Sequence, residues 1–524
     1  MSQSQDIEAV TTAISTEGQP DNKTRRYDRQ LRLWAATGQS ALESSRILVI
    51  SASATATSIL KNLVLPGIGH FTILDHELVS PEDAGNNFFF EGYKSIGKSR
   101  AEEAVRLLGE LNDGVEGKAD TRNVEDLLNT DQQYFAQFTL IIVHNLRPSL
   151  LQKLADFLWS DSSYPPLIAV RSAGFLAQFF IQFHEHTIIE SHSEMAPSLR
   201  IDKPFPSLLE HALSLDFDNM DPTEHAHIPY VVILVRAIED WKKSHGGQPP
   251  KTYAEKKEFK KGLLSMKKKV DEENFDEAEA QAYRAWTETG VPSEISSLFQ
   301  DPSLSSLSPS SPEFFHLLAA LHKFTLRPPH TLPLTSTLPD MRSDTKNYIH
   351  LQTLYKKQAE EEKAIFKDLV KAGGVEIDDE LIDLFVKNAH GLLVLRGKQI
   401  WAFDSDRAGL ANALATSPRE TSTHLAMSAL TAFTSKNPTS TPTAEDLRSI
   451  VEDTVGPDAE LPSHIDDAVG EIARAPTADL PNVAAFLGGM VAQEAIKMIT
   501  KQYVPQRGYT VVDMVEMWTG AVGA

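Results

Sequence analysis

The sequence predicts an α/β fold, a doubly wound parallel sheet carrying a large and mostly helical insertion. Three observations predict it. Apolar runs of strand length crowd the first third of the chain, and the first two frame a strand–helix–strand unit. A long central region instead shows charged, helical patterning. An apolar helix followed by a strand then closes the sequence. Parallel strands alternating with helices are the pattern of an open α/β sheet.

Arg46 to Ser51 (RILVIS) is an apolar run of buried-strand length. Alanine- and threonine-rich residues follow and continue as a helix through Leu65. Pro66 to His70 (PGIGH) is a turn, and Phe71 to Asp75 (FTILD) a second strand. A unit of about 30 residues with this order opens a doubly wound sheet. Lys98 to Leu111 fits a helix. TLIIVH (Thr139 to His144) and PLIAVR (Pro166 to Arg171) are further buried strands, and Phe175 to Phe183 is a longer one.

Beyond about residue 185 the character changes. His227 to Lys243, Tyr253 to Lys269 and Glu272 to Trp286 have helical length and charge patterning. Ser297 to Pro312 is Ser/Pro-rich and reads as a loop or linker. Helices resume at Phe314 to Phe324 and over Thr345 to Ala372, and Ala415 to Thr443 holds Ser/Thr/Pro-rich pieces around a short helix. No repeat of 20–50 residues is visible. In Asn482 to Ile499, Val483, Leu487, Val491, Ala495 and Met498 fall on one helical stripe. Gly488 and Gly489 interrupt it at about 1 kcal/mol each relative to alanine, which close backbone packing would offset. Gly508 to Met514 is a final strand. This helix and strand are expected to rejoin the N-terminal sheet. The resulting boundaries are a disordered tail over residues 1–20, sheet domain over 20–175, helical insertion over 176–479 and the return of the sheet domain over 480–524.

Composition narrows the function. At 41% hydrophobic and 23% charged, the 524 residues have an ordinary globular balance. No apolar run approaches the roughly 20 residues of a membrane helix, and Met1 to Asp21 lacks a signal-peptide apolar region. The net charge of −22 argues against nucleic acid or anionic membrane as the main partner. Cysteine is absent. The chain therefore has no disulfide, no thiolate zinc site and no thiol nucleophile, which fits the cytoplasm or nucleus.

The opening strand–turn–helix invites a nucleotide, for which a G-x-G-x-x-G turn would let backbone amides approach phosphate. Here the turn is SASATATS (Ser51 to Ser58), without glycine. Its Cβ atoms obstruct that approach, and a packed structural turn is the better reading. Asp75 stands where a ribose-binding acid would lie; without the loop it reads as a turn or cap residue.

Several segments carry a resemblance. RYDRQLRLW (Arg26 to Trp34), KNLVLPGIGHFTILD (Lys61 to Asp75) and GKSRAE (Gly97 to Glu102) resemble the landmarks of ubiquitin-like activating enzymes. EDAGNNFF (Glu82 to Phe89), IESH (Ile189 to His192), LRIDKPFPSL (Leu199 to Leu208), LPDM (Leu338 to Met341) and QEAIKMITKQ (Gln493 to Gln502) resemble more closely the regulatory, non-cysteine subunits of Nedd-eight/Rub activating enzymes. The landmarks run from about residue 25 to 505. The resemblance implies a Rossmann-like adenylation fold with an insertion similar to a catalytic-cysteine domain, but lacking the cysteine.

It also implies a heterodimer that adenylates the modifier with ATP and magnesium and then loads it as a thioester on the catalytic, cysteine-bearing subunit. A conjugating enzyme receives the modifier from the complex. Such obligate interfaces bury on the order of 2,000 Å² or more. The active half carries a glycine-rich loop, an arginine after the ribose acid and a metal-binding aspartate. This chain has SASATATS, Gly85-Asn86-Asn87-Phe88 and Val143-His144-Asn145 in their places. It is therefore expected to bind no cofactor or metal itself, with ATP and magnesium on the partner.

What remains is help in trans. Arg29, in Tyr-Asp-Arg-Gln, matches the family's arginine that reaches the other half's ATP, where a guanidinium suits phosphate oxygens. The alternative is an ion pair at the subunit interface. Arg25, Arg26 and Arg32 read as solvated or interface residues. Asp202, Lys203 and Phe205, in a rigid proline-flanked segment, are candidate partner contacts or a domain crossover; Leu338, Pro339, Asp340 and Met341 lean to partner contact. His184, His186, His192, His225 and His227 read as structural rather than metal-binding. Lys267 to Lys269 reads as a solvated helix face. Three rival readings remain: the regulatory half of a SUMO activating enzyme, against which the chain length argues; a purely structural scaffold; and a free-standing oxidoreductase, which would need the missing phosphate loop.

Overall fold

The computed structural model describes residues 22–192, 198–456 and 459–524. The expected tail, residues 1–20, lies outside them. The chain divides into two compact units, Ile189–Leu393 and the remainder on either side of it.

In the first part of the sheet unit, helix α1 (Asn22–Glu43) is kinked at Trp34 and Ala35. There follow β1 (Arg46–Ile50), α2 (Ala54–Val64), β2 (His70–Leu74), α3 (Arg100–Gly109), β3 (Glu116–Asp120) and β4 (Leu140–His144). Then come α4 (Pro148–Trp159), β5 (Leu167–Ala173), β6 (Leu176–Gln182) and β7 (Glu185–Ile188). The second unit is helical, with α5 (Pro206–Ser214), α6 (Tyr230–Ser244), α7 (Tyr253–Ser265), α8 (Glu313–Thr325) and α9 (Thr345–Lys371). The chain returns through β8 (Leu393–Arg396), α10 (Pro418–Lys436), α11 (Pro481–Thr500), β9 (Tyr509–Asp513) and β10 (Trp518–Val522).

The main sheet has the order β10-β9-β6-β5-β4-β1-β2-β3. Strands β1 to β5 are parallel, and β6, β9 and β10 extend the sheet antiparallel. The central strands are apolar on both faces because helices cover both: Ile47 to Ile50 and Leu140 to Val143 are all buried. Helix α11 packs against α2. A Cβ at Gly488 would overlap Ser58, so this glycine permits the close approach; Gly489 faces open space and does not. By length and composition α11 is also apolar enough to cross a membrane, contrary to the sequence expectation, but its stripe from Val483 to Met498 is buried in the protein core.

Three expectations about segment boundaries and elements are corrected. The insertion does not span 176–479. Strands β6 and β7 continue the sheet unit past residue 175, and Val394–Ala524 belongs to that unit. The reason is packing: Leu425, Ala426 and Leu430 of α10 share a core with Ala173 and Leu176 of the sheet. Nor is Ala415 to Thr443 a short helix among loops, since α10 alone has 19 residues. The Ser297 to Pro312 segment also contains two short helical stretches, the end of Ser293–Leu298 and Pro302–Ser305.

In the helical unit, α6 is buried from Tyr230 to Val235 against Leu208, Phe259, Phe275 and Tyr355. Arg200 and Glu362, both buried, form a bidentate ion pair at 2.6 and 2.7 Å. This fixes α9 to the extended segment that precedes α5.

Candidate functional site

At the end of β1, Ser51 takes φ +87°, a conformation glycine adopts freely and serine rarely. The next residues fold onto α2 through their own side chains. Ser53 caps the helix by accepting from the Ala56 amide at 3.2 Å. Its hydroxyl is also 2.7 Å from His144 Nδ1, and His144 Nε2 is 2.9 Å from the Ser172 hydroxyl. Burial lowers the His144 pKa, so the imidazole stays neutral between the two serines.

The first turn of α2 is occupied by the chain itself. Asp479 accepts from the Thr55 amide at 3.0 Å and the Thr55 hydroxyl at 2.6 Å. Asn86 donates to the Asp479 carbonyl at 3.0 Å. Asn87 bridges the turn, donating to the Ala52 carbonyl at 3.0 Å and accepting from Thr57 at 3.0 Å. A helix N-terminus favours an anion through its free amides and its dipole. Here a carboxylate of the same chain takes that position, and an incoming phosphate would meet like charge and closed geometry. The residues present do not fit a nucleotide phosphate.

Asp75 has become structural as well. It accepts from the Ala52 amide at 2.7 Å and the Glu77 amide at 2.9 Å, with Arg100 Nε 3.4 Å away. Burial raises its pKa against the opposing charge of Arg100. At the end of β4, Asn145 exchanges hydrogen bonds with the Ser172 backbone at 3.0 and 3.1 Å. No carboxylate stands at that position.

Helix α1 is anchored by buried Tyr27 and Trp34. The Tyr27 hydroxyl accepts from Asn112 at 2.9 Å, and the Trp34 indole donates to Gln39 at 3.1 Å. Arg26 pairs with Asp113 at 2.8 Å, and Arg32 with Asp28 at 3.1 Å. Arg29 is exposed and makes no ion pair among the described residues. The helix carries Arg29 on its exposed face, with its charge uncommitted among the described residues.

Residues 27–146, which hold the altered turn and Arg29, match the ThiF family. The whole chain is similar to NEDD8-activating enzyme E1 regulatory subunits: 37% identical to that of Xenopus laevis, covering 92% of this chain and 95% of the relative. It is 36% identical to the Gallus gallus protein over 94% and 96%, and 35% identical to an Arabidopsis thaliana regulatory subunit over 92% and 96%. The chain belongs to the NEDD8-activating enzyme E1 regulatory subunits.

In this regulatory subunit the structure redistributes the expected contact residues. Phe205 is buried and packs edge-on against Tyr355 at 5.1 Å, so it is a core residue and not a partner contact. Asp202 accepts from the Thr289 amide at 2.6 Å, and Lys203 donates to the Thr289 carbonyl at 2.8 Å. The two clamp one turn of their own unit. Leu338 and Met341 pack partly against the core, whereas Pro339 and Asp340 are exposed.

The histidines do not come together on a metal. Among the described residues no group of three or more His, Asp or Glu could hold one. His225 is buried 2.9 Å from Glu272 and stacks on Phe275, while His184 stacks on Trp159 at 3.9 Å. His227 is 2.6 Å from the Thr223 carbonyl. Lys267 is no free solvated charge, since it pairs with Asp276 at 2.7 Å. Asp479 was missed by sequence reasoning. It lies 424 residues from Thr55, and no local pattern marks it.

Proposed function

We propose that this chain is the non-catalytic half of a heterodimer with the catalytic, cysteine-bearing subunit, acting on the ubiquitin-like modifier NEDD8. ATP and magnesium are bound by the partner. The conjugating enzyme receives the modifier through the complex. Arg29 serves in trans, its guanidinium placed against the phosphates on the partner, where fixed positive charge stabilises the transferring group. Arginines supplied this way in other phosphoryl enzymes contribute roughly 10³–10⁵ in rate, and the lower end or less is expected here.

The observation that carries this reading is the Asp479 carboxylate at the first turn of α2. Its negative charge at that turn opposes a phosphate, which supports the reading, and the absence of cysteine leaves no thiol nucleophile for a thioester. The uncommitted charge of Arg29 supports the role in trans. Exposed Pro339 and Asp340 remain candidate partner contacts; Asp202 and Lys203 are partly exposed but held by their own unit.

The test is NEDD8-dependent ATP–pyrophosphate exchange by this chain alone, by the catalytic subunit alone and by the mixture. Activity in the mixture only is expected, and exchange by this chain alone overturns the reading. Arg29→Ala should leave the complex assembled and lower exchange; full exchange by that variant would reduce the chain to a scaffold.

A further inference from the structure

One helix face in the helical unit departs in charge from the rest of the chain. Residues 251–269 hold eight lysines against two glutamates, in a protein of net charge −22. Most of this stretch is helix α7, opened by a capping box of Thr252 and Glu255. Phe259 and Leu263 bury its inner face in the core of the unit. The spacing i, i+4, i+8 and i+11 puts Tyr253, Lys257, Lys261 and Leu264 together on the outer face. All four are exposed, Tyr253 at 83% and Leu264 at 40%.

The other lysines of the stretch are partly engaged by the fold. Lys260 pairs with Glu279 at 2.8 Å and Lys267 with Asp276 at 2.7 Å. Lys268 donates to the carbonyls of Asp218 and Met220 at 2.9 and 2.7 Å. Lys257 and Lys261 make no ion pair among the described residues, Glu258 beside them included. Like charges one turn apart repel each other. A solvated face needs charge, but it does not need a tyrosine and a leucine exposed at either end of the charges. Apolar anchors bordered by charge are the composition of a protein contact.

We propose that this face of α7 docks an acidic segment of a partner protein. Its carboxylates take Lys257 and Lys261, and its apolar side chains pack on Tyr253 and Leu264. Size decides among the anions. A helix of 13 residues is about 20 Å long, and exposed charges more than about 8 Å apart are largely screened at physiological salt. A short acidic segment stays over the stripe. A nucleic acid or an anionic membrane extends past it onto a protein that is acidic on balance.

The experiment uses the full chain, alone and assembled with its catalytic subunit. The probe is a fluorescein-labelled, twelve-residue peptide of glutamates with a leucine near one end and a phenylalanine near the other, followed by anisotropy. It should bind with micromolar affinity, and severalfold more weakly as salt rises from about 50 to about 200 mM. An analogue with serine in place of both apolar residues should bind roughly tenfold more weakly, and one with lysine for glutamate not measurably. Lys257→Glu combined with Lys261→Glu should weaken the parent peptide at least tenfold, and Tyr253→Ser severalfold. Melting temperatures should stay unchanged, because the replaced side chains are exposed. No binding at about 100 µM peptide, equal binding by the double charge-reversal variant, or equal binding of the serine analogue overturns the proposal. Loss of binding on assembly would assign the stripe to the subunit interface instead, and tighter binding of an oligothymidylate or of phosphatidylserine vesicles would assign it to those anions; either outcome also overturns it.

Discussion

Asp479 holds Thr55 by two hydrogen bonds, from its amide at 3.0 Å and its hydroxyl at 2.6 Å, and so ties the approach to α11 to the first turn of α2. A carboxylate at a helix N-terminus satisfies a free amide and the dipole together. Asp479→Ala should therefore cost about 1–2 kcal/mol. The variant should still bind no ATP, because the Cβ atoms of the glycine-free turn remain. A urea titration reads the first effect and equilibrium dialysis with labelled ATP the second. ATP binding by the variant chain would show that Asp479 alone closes the turn.

The two adjacent glycines of α11 should respond oppositely. A Cβ at Gly488 meets Ser58, including its backbone, so Gly488→Ala must push α11 and α2 apart. Overpacking of this kind typically costs about 1–3 kcal/mol. A Cβ at Gly489 has nothing within 4 Å, so Gly489→Ala should stabilise by about 0.5–1 kcal/mol through helix propensity. Thermal unfolding of the two variants decides it. A fall in both melting temperatures would mean that Gly489 has a packing role as well.

The same contrast shows what was legible in the sequence. Strands β1, β2, β4, β5, β6 and β9 announce themselves because burial on both faces demands uninterrupted apolar runs. Strand β3 (EGKAD) does not: it is an edge strand whose only buried residue is Asp120. Helix α10 was hidden for a different reason. It buries Thr421, Ser422, Thr423 and His424 on the sheet. Thr421 and Ser422 donate to the carbonyls of Ser417 and Pro418, one turn back, at 2.7 and 2.6 Å. Hydroxyls satisfied within their own helix can be buried without a partner, yet in sequence they read as polar loop. The loss of the phosphate turn was visible in SASATATS; the carboxylate that replaces the phosphate was not, because only the folded chain brings Asp479 to Thr55.

In the helical unit the ion pair of Arg200 and Glu362 should be the most sensitive single point. Glu362 also accepts from the Leu334 amide at 2.8 Å, and Arg200 donates to the Leu332 carbonyl at 2.7 Å. Glu362→Ala strands a buried guanidinium and should cost about 3–5 kcal/mol. Adding Arg200→Met should recover much of that loss, since an apolar pair removes the uncompensated charge. Denaturation of wild type, both single variants and the double variant gives the coupling. Additive losses would show that the two residues act independently.

Acid should release α10 from the sheet through Asp404. This carboxylate accepts from Tyr509 at 3.0 Å and Ser428 at 2.5 Å, and lies 3.4 Å from His424 Nε2. Burial alone would raise its pKa. The electrostatic attraction of nearby His424 and the hydrogen bonds from Ser428 and Tyr509 outweigh burial and lower it from 3.8 to about 2. A lowered carboxylate pKa stabilises the folded state above the unfolded pKa, and that contribution is lost as pH falls through the folded one. At 1.36 kcal/mol per unit, the pH-dependent part is about 2 kcal/mol. The stability difference between wild type and Asp404→Asn should be constant above pH ~5 and shrink by about that amount as pH falls toward 2. Urea midpoints across this window measure it, and a difference that does not change with pH would mean that Asp404 keeps its ordinary pKa in the fold.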